Sequence, residues 1–224
     1  MVLHDSQTIH EFANERLKLT PSGKKNIYRG RVSLKHQGFL LFRYYLEIDF
    51  SPWPHLFPQV RECDGLIPWT SENHVYDDGS LCLSTVPKQQ VLIRSGEIAT
   101  LELFLHKVLE PHLVRQAEYS AGNRKVFKKL EYSHGELGIL ETYLNILDAT
   151  SWEVISRTIR CYLSHLVVPI NHRKDCCCSY YTRAVGFGKS RAKILSYIDT
   201  PRLKADLHLL TKTYFLIATL PQRE

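Results

Sequence analysis

A cysteine follows an acidic turn near the middle of the chain. Residues 72–84 read ENHVYDDGSLCLS, which places Cys82 shortly after Asp77-Asp78-Gly79 and between two leucines. In such a turn the glycine can take a positive φ and the aspartates can bond to the local backbone, so the residues that follow are held in place. A thiol displayed there can act as a nucleophile, because its thiolate attacks acyl groups. A half-buried structural cysteine at the start of a strand is the alternative, since unpaired cysteines are often buried.

A second cysteine, Cys63, provides a comparison. It ends a predicted strand, residues 59–63, and no turn of the same kind precedes it. We therefore interpret Cys63 as structural.

Charge divides the chain into two parts. The 224 residues are 44% hydrophobic and 23% charged, which is typical of globular proteins. Residues 1–150 carry 17 Lys+Arg and 18 Asp+Glu, whereas residues 151–224 carry 12 and 5. This imbalance predicts a near-neutral domain, 1–150, and a basic extension, 151–224. The extension either meets an anionic partner or has a basic surface that keeps it in solution.

The first half of the chain alternates between helical and strand patterns. Apolar residues at helical spacing predict a helix over residues 6–19, which Pro21-Ser22-Gly23 stops. Aromatic and β-branched residues then predict a hairpin, whose strands span residues 27–34 and 39–48 around a turn at 36–38. Three prolines exclude regular structure from residues 51–58, and the short strand that contains Cys63 follows.

After Cys82 the pattern becomes helical. Residues 84–95 read as a polar loop, and an amphipathic helix begins at Gly96 and is interrupted or kinked by Pro111. A short element over residues 127–132 and a helix over 134–147 follow. One helix, antiparallel strands and later helices indicate an α+β fold.

Two motifs in this order resemble those of the ubiquitin-conjugating (UBC) family, and more narrowly its bacterial relatives from antiphage (CBASS-type) defence islands. WPHLFPQV, residues 53–60, resembles the family's Tyr-Pro…Pro-x-Val loop and third strand. HVYDDGSLCL, residues 74–83, resembles the segment that ends at the family's catalytic cysteine. The resemblance covers residues 5–147. It implies a UBC-like fold, with an N-terminal helix, an antiparallel meander sheet, a cysteine-bearing loop and a long helix.

The resemblance also implies roles for three residues. Cys82 matches the cysteine that carries a protein C-terminus as a thioester and passes it to an amine or another acceptor. Eukaryotic members have a His-Pro-Asn tripeptide whose Asn stabilises the oxyanion, and here Glu72-Asn73-His74 takes its place. His74 occupies the Asn position and could donate an N–H or accept a proton, whereas Asn73 is a weaker candidate for the donor. In the alternative interpretation, His74 only holds the cysteine turn.

The basic extension has its own pattern. Apolar spacing predicts a helix over residues 152–166, and residues 203–220 form a helix or strand. Cys176-Cys177-Cys178 resembles half of a zinc-binding tail found in related bacterial proteins, and Cys161, Cys176 and Cys178 are the candidate ligands. Because the second ligand pair is missing, a metal-free remnant is favoured and no cofactor is expected.

The resemblance to the UBC family implies a conjugating-enzyme-like transferase. Its donor would be a cyclic-oligonucleotide synthase (CD-NTase-like) or a ubiquitin-like protein, its acceptor a protein, and its role bacterial antiphage defence. The alternative is a catalytically inactive UBC-like binding module that scaffolds a partner. Nucleic acid binding through residues 173–193 rests on charge alone and is disfavoured. We expect a cytoplasmic protein, because no signal peptide, no membrane-length apolar window and no disulfide framework are visible.

Overall fold

A four-stranded antiparallel sheet forms the centre of the first half of the chain. The computed structural model describes residues 6–36, 39–123, 125–127, 133, 135–167, 181–182 and 189–219. The strands are β1 (Thr20–Pro21), β2 (Ile27–His36), β3 (Phe39–Asp49) and β4 (Gln59–Glu62), and they lie side by side in chain order. The predicted hairpin and third strand are confirmed. The turn predicted between β2 and β3 includes residues 37 and 38, which lie outside the described residues.

The register of the sheet follows the alternation of its side chains. Val32 pairs with Tyr44, and Ile48 pairs with Val60 on the other side of β3. Alternate residues of β3, Tyr44, Leu46 and Ile48, are almost completely buried. Alternation at period two is what a sheet with one core face requires, so the pattern that predicted the strand also determines its buried face.

Helices precede and follow the sheet. Helix α1 (Ser6–Glu11) continues into a π-helical turn, Phe12–Arg16, within the predicted range 6–19. After the sheet come α2 (Val86–Arg94), α3 (Leu101–Phe104), a π-helical turn (Leu105–Leu109) and α4 (Glu110–Ser120). The α+β class is therefore confirmed.

One prediction in this region was wrong. The expected polar loop at residues 84–95 is helix α2, which has Pro87 in its first turn and buries Gln90 and Val91. Proline is well suited to the first turn of a helix, where its missing N–H has no partner to lose. The interruption predicted near Pro111 is present as a π-helical turn, Leu105–Leu109. In this turn the Glu110 N–H donates to Leu105 five residues back, and α4 then begins.

The chain forms two compact units. Unit 1 comprises residues 1–84 and 92–131, and unit 2 comprises residues 85–91 and 132–224. Unit 2 contains α5 (Gly135–Ile146), α6 (Trp152–Val167), β5 (Tyr181–Thr182), β6 (Lys189–Ser190), α7 (Arg191–Leu195) and α8 (Thr200–Thr219). The predicted helices at 134–147, 152–166 and 203–220 correspond to α5, α6 and α8. The predicted domain boundary at residue 150 does not coincide with the division into units, because α5 groups with the helices that follow it.

Each unit has its own apolar core. In unit 1 the core face of the sheet packs with α1, α3 and the segment through α4. In unit 2, side chains of α5, α6, α7 and α8 form a second cluster around Tyr143 and Ile159. Tyr143 donates a hydrogen bond to buried Asp206 at 2.9 Å, and Arg202 pairs with the same carboxylate at 2.8 Å.

Within the described residues, no helix has the length and apolar character that a membrane span needs.

Candidate functional site

The cysteine turn is a short hairpin in unit 1. The Cys82 N–H donates to the His74 carbonyl at 2.7 Å, and the Tyr76 N–H donates to the Ser80 carbonyl at 2.8 Å. Gly79 closes the turn by donating to the Tyr76 carbonyl at 2.9 Å, with a φ of 79°. The sequence predicted this turn, and the positive φ is why a glycine occupies it.

The hairpin is attached to the last strand of the sheet. The Leu81 N–H donates to the Val60 carbonyl at 2.8 Å, and Ser80 forms an isolated antiparallel β-bridge with Arg61 of β4. Leu81 and Val75 are both buried in the core of unit 1. Cys82 therefore follows directly after a residue that is fixed by backbone hydrogen bonds and by burial.

Asp78 stabilises the turn from its exposed side. Its carboxylate accepts hydrogen bonds from the Ser80 hydroxyl at 2.5 Å and from the Ser80 backbone N–H at 2.9 Å. These bonds, together with the nearby Arg61 guanidinium at 3.4 Å, lower the pKa of Asp78. Arg61 also pairs with Glu47 on β3 at 3.2 Å, so the turn is linked to two strands.

The Cys82 thiol contacts a tyrosine that sequence reasoning missed. Cys82 is half-buried, and its Sγ donates to the hydroxyl of Tyr76, with 3.1 Å between Sγ and Oη. Tyr76 itself is 45% exposed. The hairpin pairs residue 74 with 82 and 76 with 80, so Tyr76 lies diagonally across from Cys82. The turn signal at Asp78-Gly79 could have predicted this register and hence the neighbour.

His74 supports the thiol through its backbone. It ends a single 3-10 turn, Ser71–Asn73, in the left-handed conformation with a φ of 51°. Histidine is among the non-glycine residues that adopt this conformation more often than most. Its carbonyl accepts the Cys82 N–H, and its ring packs on Phe127 with 4.8 Å between centroids. This geometry matches the turn-holding role, and a chemical role for the ring stays a prediction.

Asn73 is buried and its side chain is engaged in the fold. The amide Nδ2 donates to the Thr70 hydroxyl at 2.7 Å. The backbone carbonyl of Asn73 accepts a hydrogen bond from Nε2 of Gln116 at 2.5 Å, and Gln116 on α4 is fully buried. Donation to Thr70 favours a structural role for the Asn73 amide, and its predicted role as oxyanion donor stays a prediction.

Helix α4 supports the whole Glu72-Asn73-His74 tripeptide. Besides Gln116, it supplies Tyr119, whose hydroxyl donates to the Glu72 carboxylate at 3.4 Å. The ring of Tyr119 also packs on Phe127, the residue that contacts His74. The contacts that reach the tripeptide join residues more than forty positions apart, so no local sequence signal could have revealed them.

Cys63 differs from Cys82 in its surroundings. Cys63 is an exposed residue just after β4. Partial desolvation of its thiol and the nearby Glu47 carboxylate raise its pKa. A raised pKa reduces the fraction of reactive thiolate at neutral pH. The interpretation of Cys63 as structural stays a prediction.

Of the three candidate zinc ligands, only Cys161 lies within the described residues. Cys161 lies half-buried on α6, while Cys176 and Cys178 lie outside the described residues. The described residues contain no group of three or more histidine, cysteine or acidic side chains arranged to hold a metal ion.

Replacing Tyr76 with phenylalanine is expected to slow alkylation of Cys82 about fivefold at neutral pH. The hydroxyl can donate a hydrogen bond to the thiolate, and a bond to a charged group at a half-exposed site is worth about 1 kcal/mol. The measurement is the rate of iodoacetamide labelling, followed by peptide mass spectrometry. Cys63 serves as the internal reference, and its rate should not change. An unchanged Cys82 rate would contradict a role for Tyr76 in thiol chemistry.

Fold and site together define an α+β protein that presents a half-buried cysteine on a rigid hairpin, beside a tyrosine hydroxyl. Comparison of the chain with protein-family models, with curated proteins and with solved structures gave no match.

Proposed function

We propose that this chain is a ubiquitin-conjugating-like transferase that carries a protein C-terminus as a thioester on Cys82 and passes it to an acceptor. The observation that supports this most directly is the placement of the thiol. Its backbone is held by the His74 carbonyl, its neighbour Leu81 is bonded to the sheet, and its Sγ lies 3.1 Å from the Tyr76 hydroxyl. A carrier needs such a fixed and partly exposed thiol, because positioning accounts for much of acyl-transfer catalysis.

The order of elements supports a UBC-like fold for unit 1. A helix precedes a four-stranded meander, the cysteine hairpin follows the fourth strand, and helices come after it. The loop WPHLFPQV leads into β4, and the hairpin is bonded to that same strand through Val60. The two motifs that carry the resemblance are therefore neighbours in space as well as in sequence.

The proposed reaction has two steps, transfer of the acyl group to Cys82 and then to an acceptor amine. First the Cys82 thiolate attacks the carbonyl of a donor thioester, a new thioester forms on Sγ, and the donor's thiolate leaves. Then an acceptor amine attacks that carbonyl, an amide forms, Cys82 leaves as the thiolate and the amine proton passes to solvent or a base. A group 3.1 Å from Sγ is within reach of an oxyanion on the attached carbonyl, so Tyr76 is a donor for it. His74 is the second residue proposed for this chemistry.

The proposed biological role is bacterial antiphage defence in the cytoplasm. In that role the donor is a cyclic-oligonucleotide synthase, or otherwise a ubiquitin-like protein, and the acceptor is a protein. This part of the proposal is supported by the resemblance of residues 53–60 and 74–83 to the bacterial relatives.

A non-catalytic UBC-like binding module is the second candidate. The observation that favours it is the use of the Glu72-Asn73-His74 tripeptide within the fold. Asn73 is buried, and its side-chain amide donates a hydrogen bond to the Thr70 hydroxyl. An oxyanion donor must instead face the reacting carbonyl. Under this alternative, partner binding would not require the thiol.

The test is intact mass spectrometry of the protein purified with its genomic neighbours, without reducing agent. Wild type, Cys82→Ala and Cys63→Ala are compared. We expect a mass increase the size of a partner protein in wild type and Cys63→Ala, removed by added thiol and absent from Cys82→Ala. Cys82→Ser should instead give an adduct that thiol does not cleave, because an ester resists exchange with thiols.

The two candidates give different results in this experiment. A stable complex without any covalent adduct in all four samples supports the binding module. An adduct that persists in Cys82→Ala and disappears in Cys63→Ala would overturn the assignment of the carrier residue.

A further inference from the structure

Unit 2 contains an open cleft of about 560 Å³ between α6 and α8. Its volume falls within the range of about 300–1,000 Å³ that small-molecule sites occupy. Two aromatic rings line it, Trp152 and Tyr214, together with a carboxylate, Glu153, and two guanidinium groups, Arg157 and Arg160. Serine and threonine residues and Cys161 complete the lining.

The aromatic end of the cleft is held in place by its surroundings. Trp152 is half-buried and packs against the core of unit 2, which fixes its ring. Tyr214 is 42% exposed, and its hydroxyl donates to the Glu153 carboxylate at 2.6 Å. The two rings lie 6.4 Å apart between centroids and are tilted by 39°. Flat, fixed aromatic faces that border a cleft are suited to stacking on a planar ligand.

Charge is arranged along the cleft. Glu153 lies in the first turn of α6, and Arg157 and Arg160 follow on the next two turns. Arg160 is thus roughly 10 Å from Glu153 along the helix axis, at 1.5 Å per residue. Ile155 and Ile159 bury the opposite side of the helix, so the two arginines remain exposed. The cleft therefore offers hydrogen-bond acceptors beside the rings and cationic donors farther along.

We propose that this cleft binds a nucleoside phosphate. The base would stack on Trp152 and Tyr214, the sugar hydroxyls would donate to Glu153, and the phosphate groups would accept from Arg157 and Arg160. Arginine is suited to this role because its planar fork matches phosphate oxygens. Arg157 and Arg160 are two of the 12 basic residues in 151–224, so part of the basic charge of this region would have a specific ligand.

Isothermal titration of the full chain with ADP, adenosine and inorganic phosphate at about 0.15 M salt tests the proposal. We expect ADP to bind at least tenfold more tightly than either fragment. Arg160→Ala should weaken ADP binding about tenfold, since it removes charge-assisted hydrogen bonds. The matched control is Lys204→Ala, which removes one exposed positive charge from α8 at a position that does not line the cleft. Its affinity for ADP should stay within twofold of wild type.

A second pair of variants tests the stacking contact. Tyr214→Phe keeps the ring and should bind ADP within about threefold of wild type, whereas Tyr214→Leu should bind at least fivefold more weakly. Circular dichroism verifies that each variant is folded. Absence of ADP binding at millimolar concentration would overturn the proposal, and so would equal losses in Arg160→Ala and Lys204→Ala. Cys82→Ala should bind ADP like wild type, so this result is independent of the proposed transferase activity.

Discussion

Replacing Gly79 with alanine is expected to lower the free energy of unfolding of unit 1 by about 2–4 kcal/mol. Two effects add. Gly79 has a φ of 79°, a conformation that costs a residue with a side chain about 1–2 kcal/mol. A Cβ at this position would also lie only 2.5 Å from the ring of Trp69, so the ring would have to move off the turn. The measurement is urea unfolding followed by circular dichroism.

Gly96→Ala is the matched control for this prediction. Gly96 has a similar φ of 87°, but a Cβ there would meet no atom within 4 Å. It should therefore lose only the conformational part, about 1–2 kcal/mol. In a Trp69→Ala background, which already lacks the ring, Gly79→Ala should cost only the conformational part. Equal losses at the two glycines would show that the contact between Trp69 and the turn contributes nothing.

The sheet could be predicted because its pattern is local. Burial at every second residue of β3 is visible in the sequence as alternation, and the chain order of the strands follows from short connections. The cysteine turn was predictable for the same reason, because the bonds that close it, from Asp78 to Ser80 and from Gly79 to Tyr76, join residues within three positions. Both features depend on neighbours along the chain.

The mispredicted helix, α2, depends on contacts with residues that are distant along the chain. In α2, polar residues such as Lys88 and Gln89 made the segment look like a loop. Gln90, however, is buried in unit 2, where it bonds to Asp199 more than a hundred residues away. The π-turn before Pro111 likewise has no signature in the apolar spacing, because its defining hydrogen bond, from the Glu110 N–H to the Leu105 carbonyl, joins backbone atoms.

The candidate site was predictable only in part. Cys82 followed from a motif, but the group that contacts its thiol, Tyr76, follows from the hairpin register. The supports of Asn73 and His74 come from α4 and from Phe127, and these contacts exist only once unit 1 is folded. Motif and turn chemistry thus pointed to Cys82, whereas the residues that position its thiol required the structure.

Gln116→Leu is expected to destabilise unit 1 by about 2–3 kcal/mol and to slow formation of the Cys82 thioester about tenfold. Leucine is close to glutamine in shape but cannot donate to the Asn73 carbonyl, and a buried acceptor that loses its donor costs about 1–3 kcal/mol. Asn73 immediately precedes His74, whose carbonyl holds the Cys82 N–H. Loss of the Gln116 hydrogen bond therefore shifts the backbone that positions the thiol, and small misplacements cost acyl transfer heavily.

Gln90→Leu separates the effect on the site from general loss of stability. Gln90 is also a buried glutamine, and it makes two hydrogen bonds to Asp199, at 2.5 Å through its Nε2 and at 3.1 Å from the Asp199 backbone N–H. Its replacement should cost a similar free energy in unit 2 while thioester formation stays within twofold of wild type. The measurements are urea unfolding and the rate at which the thiol-labile adduct appears in intact mass spectra. Equal slowing in both variants would mean that Gln116 acts through stability alone, and a normal rate in Gln116→Leu would mean that the Asn73 support is not needed to position Cys82.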